Sequence, residues 1–189
     1  FIKFHFKHLT RGDYVMKIYD IVSKLTKINE CPIYYVDSFV FSAVTYLKPD
    51  SNKQRGLYLP KHDSLEVAEY YQSNMSDAFN RMKKMICEQC DFNDISFSVF
   101  CILHEIGHWI QYKNFIDEGN NDEQFIIYYE LQRGMLIRQR NSEAAYCKTA
   151  QDVKTLNKKY DSLYAELPTE KYANNFALEH LYEYVILIK

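Results

Sequence analysis

Ser96-Phe97-Ser98-Val99-Phe100-Cys101-Ile102-Leu103-His104-Glu105-Ile106-Gly107-His108-Trp109 decides how the rest of the chain is read. Its apolar residues predict a buried helix from about Ile95 to Lys113, stopping before Asp117-Glu118-Gly119-Asn120-Asn121. On such a helix His104 and His108, four residues apart, project from one face and can grip one ion. Glu105 is turned about 100° from His104, which aims its carboxylate beside that ion. Two imidazoles and a carboxylate in an apolar helix would be costly to bury without a metal. Zinc in this position lowers the pKa of a water towards neutrality, and Glu105 can pass the proton to a leaving amine. The expected chemistry is metal-assisted hydrolysis of a peptide bond. Gly107 costs about 1 kcal/mol relative to Ala in a helix, which implies that something packs closely against it.

A catalytic zinc takes a third protein ligand and keeps an open position. No further His follows His108 at short spacing, since Trp109-Ile110-Gln111-Tyr112-Lys113 comes next. The third ligand is therefore expected to be a downstream carboxylate, with Glu130, Glu143, Glu166, Glu170 and Glu179 as candidates on helices. His5, His8 and His62 lack ligand spacing, and His180 falls nearly opposite Glu170 on a helix. Any of seventeen tyrosines could stabilise an oxyanion, Tyr172 being adjacent to Glu170, but spacing selects none of them.

The motif His104-Glu105-Ile106-Gly107-His108-Trp109, followed by Glu170-Lys171-Tyr172-Ala173-Asn174-Asn175-Phe176-Ala177, resembles the paired motifs of the ImmA/IrrE family of metallopeptidases. The resemblance implies a gluzincin-type zinc site, with Glu170 as third ligand and Asn174 orienting a histidine. It also implies a protein substrate, with repressor-like helix-turn-helix regulators as the family's targets. The small Ala173 and Ala177 would let their helix lie close to the motif helix. The stretch between the two motifs is longer than in typical members, and Glu143, followed by Ala144 and Ala145, competes with Glu170 as ligand.

That surplus is expected to be a helical hairpin inserted at about 118–167. Its arms, Glu123 to Arg140 and Ser142 to Glu166, would meet at Asn141, with Val153, Leu156, Tyr160, Leu163 and Leu167 forming a seam. Phe125, Ile126, Tyr129 and Leu136 are expected in its core. The hairpin is expected to be an appendage, and Pro168-Thr169 to cap a last helix from Glu170.

Working back towards the N-terminus, Ser64 to about Cys90 predicts a helix interrupted near Ser73-Asn74. Ile33 to Val36, Phe39 to Leu47 and Gly56 to Leu59 predict three strands. Pro60 suggests that the last of these is an exposed edge able to bind an extended peptide. A helix is expected from Asp13 to Asn29, and the alternation from Ile2 to Lys7 suits a half-buried strand. The fold class is α+β: a small antiparallel or mixed sheet packed on a zincin-like motif helix, all in a single domain spanning 1–189 with the hairpin inserted.

At 189 residues the chain can bury one substantial core, and 47% hydrophobic content with few Gly and Pro argues against disorder. A formal charge of -2 offers no basic surface for nucleic acid, so direct binding is not expected. No apolar run approaches the roughly 20 residues that cross a bilayer, and Phe1 to Thr10 has no signal-peptide layout. Five cysteines, including the lone pair Cys87 and Cys90, do not make a disulfide framework, and a cytoplasmic location is expected. Two functions remain: a zinc-dependent endopeptidase, or a non-catalytic regulatory binding protein stabilised by zinc. Glu105 discriminates between them, because a purely structural metal needs no base.

Overall fold

The computed structural model describes residues 16–25, 28–38, 44–47 and 53–188. Among them, seven helices and a small three-stranded sheet make an α+β fold: α1 (Ile18–Lys24), β1 (Ile33–Val36), β2 (Val44–Tyr46), β3 (Gly56–Pro60), α2 (Ser64–Asn74), α3 (Ser76–Cys87), α4 (Asp94–Asp117), α5 (Asp122–Ala144), α6 (Ala150–Ala165) and α7 (Pro168–Ile188). The alternation at 2–7 and the N-terminal part of the expected first helix lie outside the described residues. So does the first part of the Phe39 to Leu47 run.

α4 is the hub. Asn93 starts it by accepting from the Ser96 backbone N–H at 2.9 Å while Ser96 Oγ accepts from Asn93, satisfying two otherwise orphaned donors. Phe97, Val99, Phe100, Ile102 and Leu103 are buried, as a helix covered on nearly all sides requires. α7 packs along it, and α1, α2, α3, α5 and the sheet cover the remainder. Gly107 is explained by this crossing: a Cβ there would lie 2.8 Å from the Ala173 Cα. Ala173 and Ala177 are fully buried in the same contact.

The sheet order is β1-β3-β2, with β1 parallel and β2 antiparallel to β3. The expectation that Gly56 to Leu59 forms an edge is therefore wrong: β3 is central and all five of its residues are buried. Leu57 and Lys61 donate to the carbonyls of Pro32 and Val36, so Pro60, of the opposite parity, is not asked for an N–H towards β1. Gly56 is needed because a Cβ would come within 2.5 Å of the Pro32 carbonyl oxygen.

Two helix boundaries differ from expectation, and a third is close to it. α1 ends at Lys24, and Asn29 (φ 37°) and Glu30 (φ 57°) adopt left-handed backbone that no α-helix continues. α2 and α3 break at Met75, near the anticipated interruption. α5 runs straight through Asn141 to Ala144, and the turn occupies 145–149, where Thr149 accepts from the Asp152 N–H at 3.1 Å. The seam is correspondingly shorter: Leu156 and Tyr160 are buried, whereas Val153 and Leu163 are exposed.

The base of the hairpin enters the core, so its lower part is not a detachable appendage. Phe125 is fully buried, packed edge-on against Tyr112 and Phe115. Arg55 pairs with Asp122 at 2.8 Å and donates to the Leu47 carbonyl at 2.7 Å, while the Tyr112 hydroxyl donates to the other Asp122 oxygen. One arginine thereby ties the β2 end of the sheet to the start of α5.

Candidate metal centre

The α4–α7 crossing brings both sequence motifs to one point. His104 Nε2 lies 3.4 Å from one Glu170 oxygen and His108 Nε2 lies 3.6 Å from the other. Glu170 sits in the first turn of α7 because Pro168, which has no N–H to lose, is the first helical residue. Asn174, one turn further on, has its side-chain oxygen 2.9 Å from His104 Nδ1, so His104 presents Nε2 to the site when Nδ1 carries the proton.

The donor set can be tested against a zinc shell. Bonds of about 2.0–2.1 Å in a tetrahedron place neighbouring ligand atoms roughly 3.3 Å apart. The two histidine-to-glutamate separations of 3.4 and 3.6 Å are close to that edge, and the residues fit. His104, Glu105 and His108 also offer ligand atoms that all lie within 4.8 Å of one another. The two imidazoles meet edge to face, with centroids 4.8 Å apart.

Glu105 is held from the sheet. The Thr45 backbone N–H donates to its carboxylate at 2.7 Å, and the Thr45 hydroxyl donates to its carbonyl at 2.8 Å. Burial pushes the Glu105 carboxyl up to about 7, against the opposing pull of His104. Burial likewise drives His108 down to about 4, with the neighbouring His104 adding to the effect. For His104 burial works in the same downward sense, but hydrogen bonding to Glu170 and the charges of Glu105 and Glu170 outweigh it and raise the ring's pKa. Burial disfavours the Glu170 anion, yet its histidine partners and Tyr164 hold its pKa below the usual range.

Glu143 and Glu166, two of the other candidate ligands, have different partners. Glu143 is engaged by Lys159 at 2.7 Å and by the Tyr160 hydroxyl at 2.9 Å on the hairpin. Glu166 pairs with Lys171. His180 packs on Phe176 and lies 3.9 Å from Glu183, and His62 faces Glu66. Tyr172 is exposed and accepts from Asn114. Tyr129 and Tyr164 face the site instead: Tyr129 lies edge-on to His108 at 5.8 Å, and Tyr164 lies beside Glu170. Nothing in their spacing distinguishes them from the other tyrosines. Thr45 acts partly through its backbone, which leaves no mark in the sequence.

A cleft of about 910 Å³ opens onto the centre, with His104, Glu105 and Glu170 in its lining. Met75, at the break before α3, and Met82 and Met85 of α3 line it, as do Tyr164 and Glu166 at the α6–α7 junction. No disulfide links the five cysteines, and among the described residues no helix is long and apolar enough to cross a membrane. Comparison of the chain with protein-family models, curated proteins and solved structures returns no match.

Proposed function

We propose that this chain is a zinc-dependent endopeptidase of the gluzincin type, in which the sheet and motif helix take a zincin-like arrangement. One observation carries the reading: the Nε2 atoms of His104 and His108 converge on the two oxygens of buried Glu170 at spacings that suit a tetrahedral zinc shell. Zinc held there supplies Lewis acidity, polarising a substrate carbonyl and acidifying a water. The chain's own groups do the rest. Glu105 accepts a proton from the attacking water and returns it to the leaving amine. Thr45 fixes the direction of that carboxylate, and Asn174 fixes the His104 ring.

The open cleft suits a polypeptide better than a small enclosed ligand, which supports a protein substrate. The two motifs' resemblance to the ImmA/IrrE family makes a repressor-like helix-turn-helix regulator the first substrate to try. Five cysteines without a disulfide suit a reducing compartment, and a cytoplasmic location is part of the proposal. A regulatory binding protein with a zinc-stabilised core is the second reading, favoured by Ile127, Leu131 and Met135, exposed along α5.

The test combines metal analysis with cleavage of a fluorogenic peptide library. Wild type is expected to hold stoichiometric zinc and His104→Ala to lose it; full occupancy in the variant would remove the ligand assignment. Glu105→Gln is expected to keep zinc while cleavage falls about 10²–10⁴-fold. Equal biological output from wild type and Glu105→Gln would favour the binding protein.

A further inference from the structure

Both arms of the hairpin send a tyrosine to the metal centre, and the second reaches the ligand that the first motif does not supply. Tyr164, near the end of α6, shares the lining of the cleft with His104, Glu105 and Glu170. Only a tight turn separates it from Glu170. The Leu167 N–H donates to the Tyr164 carbonyl at 3.0 Å, and the Lys171 N–H donates to the Leu167 carbonyl at 2.8 Å. Thr169 and Glu170 are buried immediately after this turn. The backbone positions of the two residues are therefore fixed relative to one another.

The phenol is half-buried beside Glu170. A phenol is protonated at neutral pH and so available as a donor. A ligating carboxylate uses part of its lone-pair capacity on the metal and leaves the rest for an outer donor, which sets the rotation of the group and hence the bite of the site. Asn174 performs this office for His104. The Tyr164 hydroxyl, a side-chain partner of Glu170 on the same cleft wall, is placed to do it for Glu170.

Resting on the zinc-site reading above, we propose that Tyr164 is a positioning residue for Glu170, through which the inserted hairpin sets the site's affinity for zinc. A tyrosine present only to fill space would be replaced by phenylalanine without consequence. Tyr160 provides the comparison, because it stands one turn earlier on α6 and bonds to Glu143, away from the centre.

The experiment measures zinc affinity by competition with a chromophoric chelator in wild type, Tyr164→Phe and Tyr160→Phe, and records the visible spectrum of each protein loaded with cobalt. Tyr164→Phe is expected to bind zinc about 10–100-fold more weakly and to shift the cobalt bands. Tyr160→Phe is expected to match wild type in both. Wild-type affinity in Tyr164→Phe overturns the proposal. So does an equal loss in Tyr160→Phe, which would place the effect in the hairpin's folding. Wild type that binds no zinc would instead remove the reading of the site itself.

Discussion

The α4–α7 pair and the α5–α6 pair are held together in opposite ways. α4 and α7 meet through Gly107, Ala173 and Ala177, so their backbones come nearly into contact and the chemistry is enclosed. α5 and α6 meet through Leu156 and Tyr160 and through polar links, Arg140 to Asn157 and Glu143 to Lys159. Their outer faces leave Ile127, Leu131 and Met135 in solvent. A close crossing holds ligands to within a fraction of an ångström, because any added atom displaces a whole helix. A polar, solvated pairing tolerates change, because exposed ion pairs contribute little.

The hairpin itself divides along the same line, and its base supplies the sharpest way to break the contrast. Phe125→Ala removes a fully buried ring that touches α4 and is expected to destabilise the protein by about 3–5 kcal/mol, measured by urea unfolding. A cost below 1 kcal/mol would make the whole hairpin an appendage after all. Gly107→Ala should rank next. The methyl group would gain about 1 kcal/mol of helix propensity, but it meets the backbone of Ala173, which cannot rotate away. The expected net loss is about 1–3 kcal/mol, with weaker zinc binding because Glu170 rides on the displaced helix. Unchanged stability and zinc content would show that the two helices can separate freely. At the other extreme, Leu131→Ser on the exposed stripe should change stability by no more than about 0.5 kcal/mol in the same unfolding assay. A larger loss would mean that this face is covered in solution.

Much of the helical layout was legible because its signals are local. The apolar run before His104 leaves no alternative to a buried helix, whereas the cap Thr149, which starts α6 by pairing with Asp152, was passed over within the expected second arm. The hairpin turn was misplaced because Asn141 resembles a breaker, yet an asparagine on an exposed helical face costs too little to end a long helix. β3 was misassigned because a proline at a strand's end says where pairing stops along the chain. It does not say what lies on either side.

By itself the sequence determined that His104 and His108 share a face, that Glu105 stands beside them, and that Gly107 must meet something small. These follow from the fixed geometry of one helix, in which residue spacing is spatial position. Only the tertiary structure decided that Glu170 rather than Glu143 stands opposite the histidines, that the Thr45 backbone holds Glu105, and that Tyr129 and Tyr164 return from the hairpin to the centre. Those placements depend on how separate elements pack. Packing is set by the summed fit of many side chains, which no local spacing records.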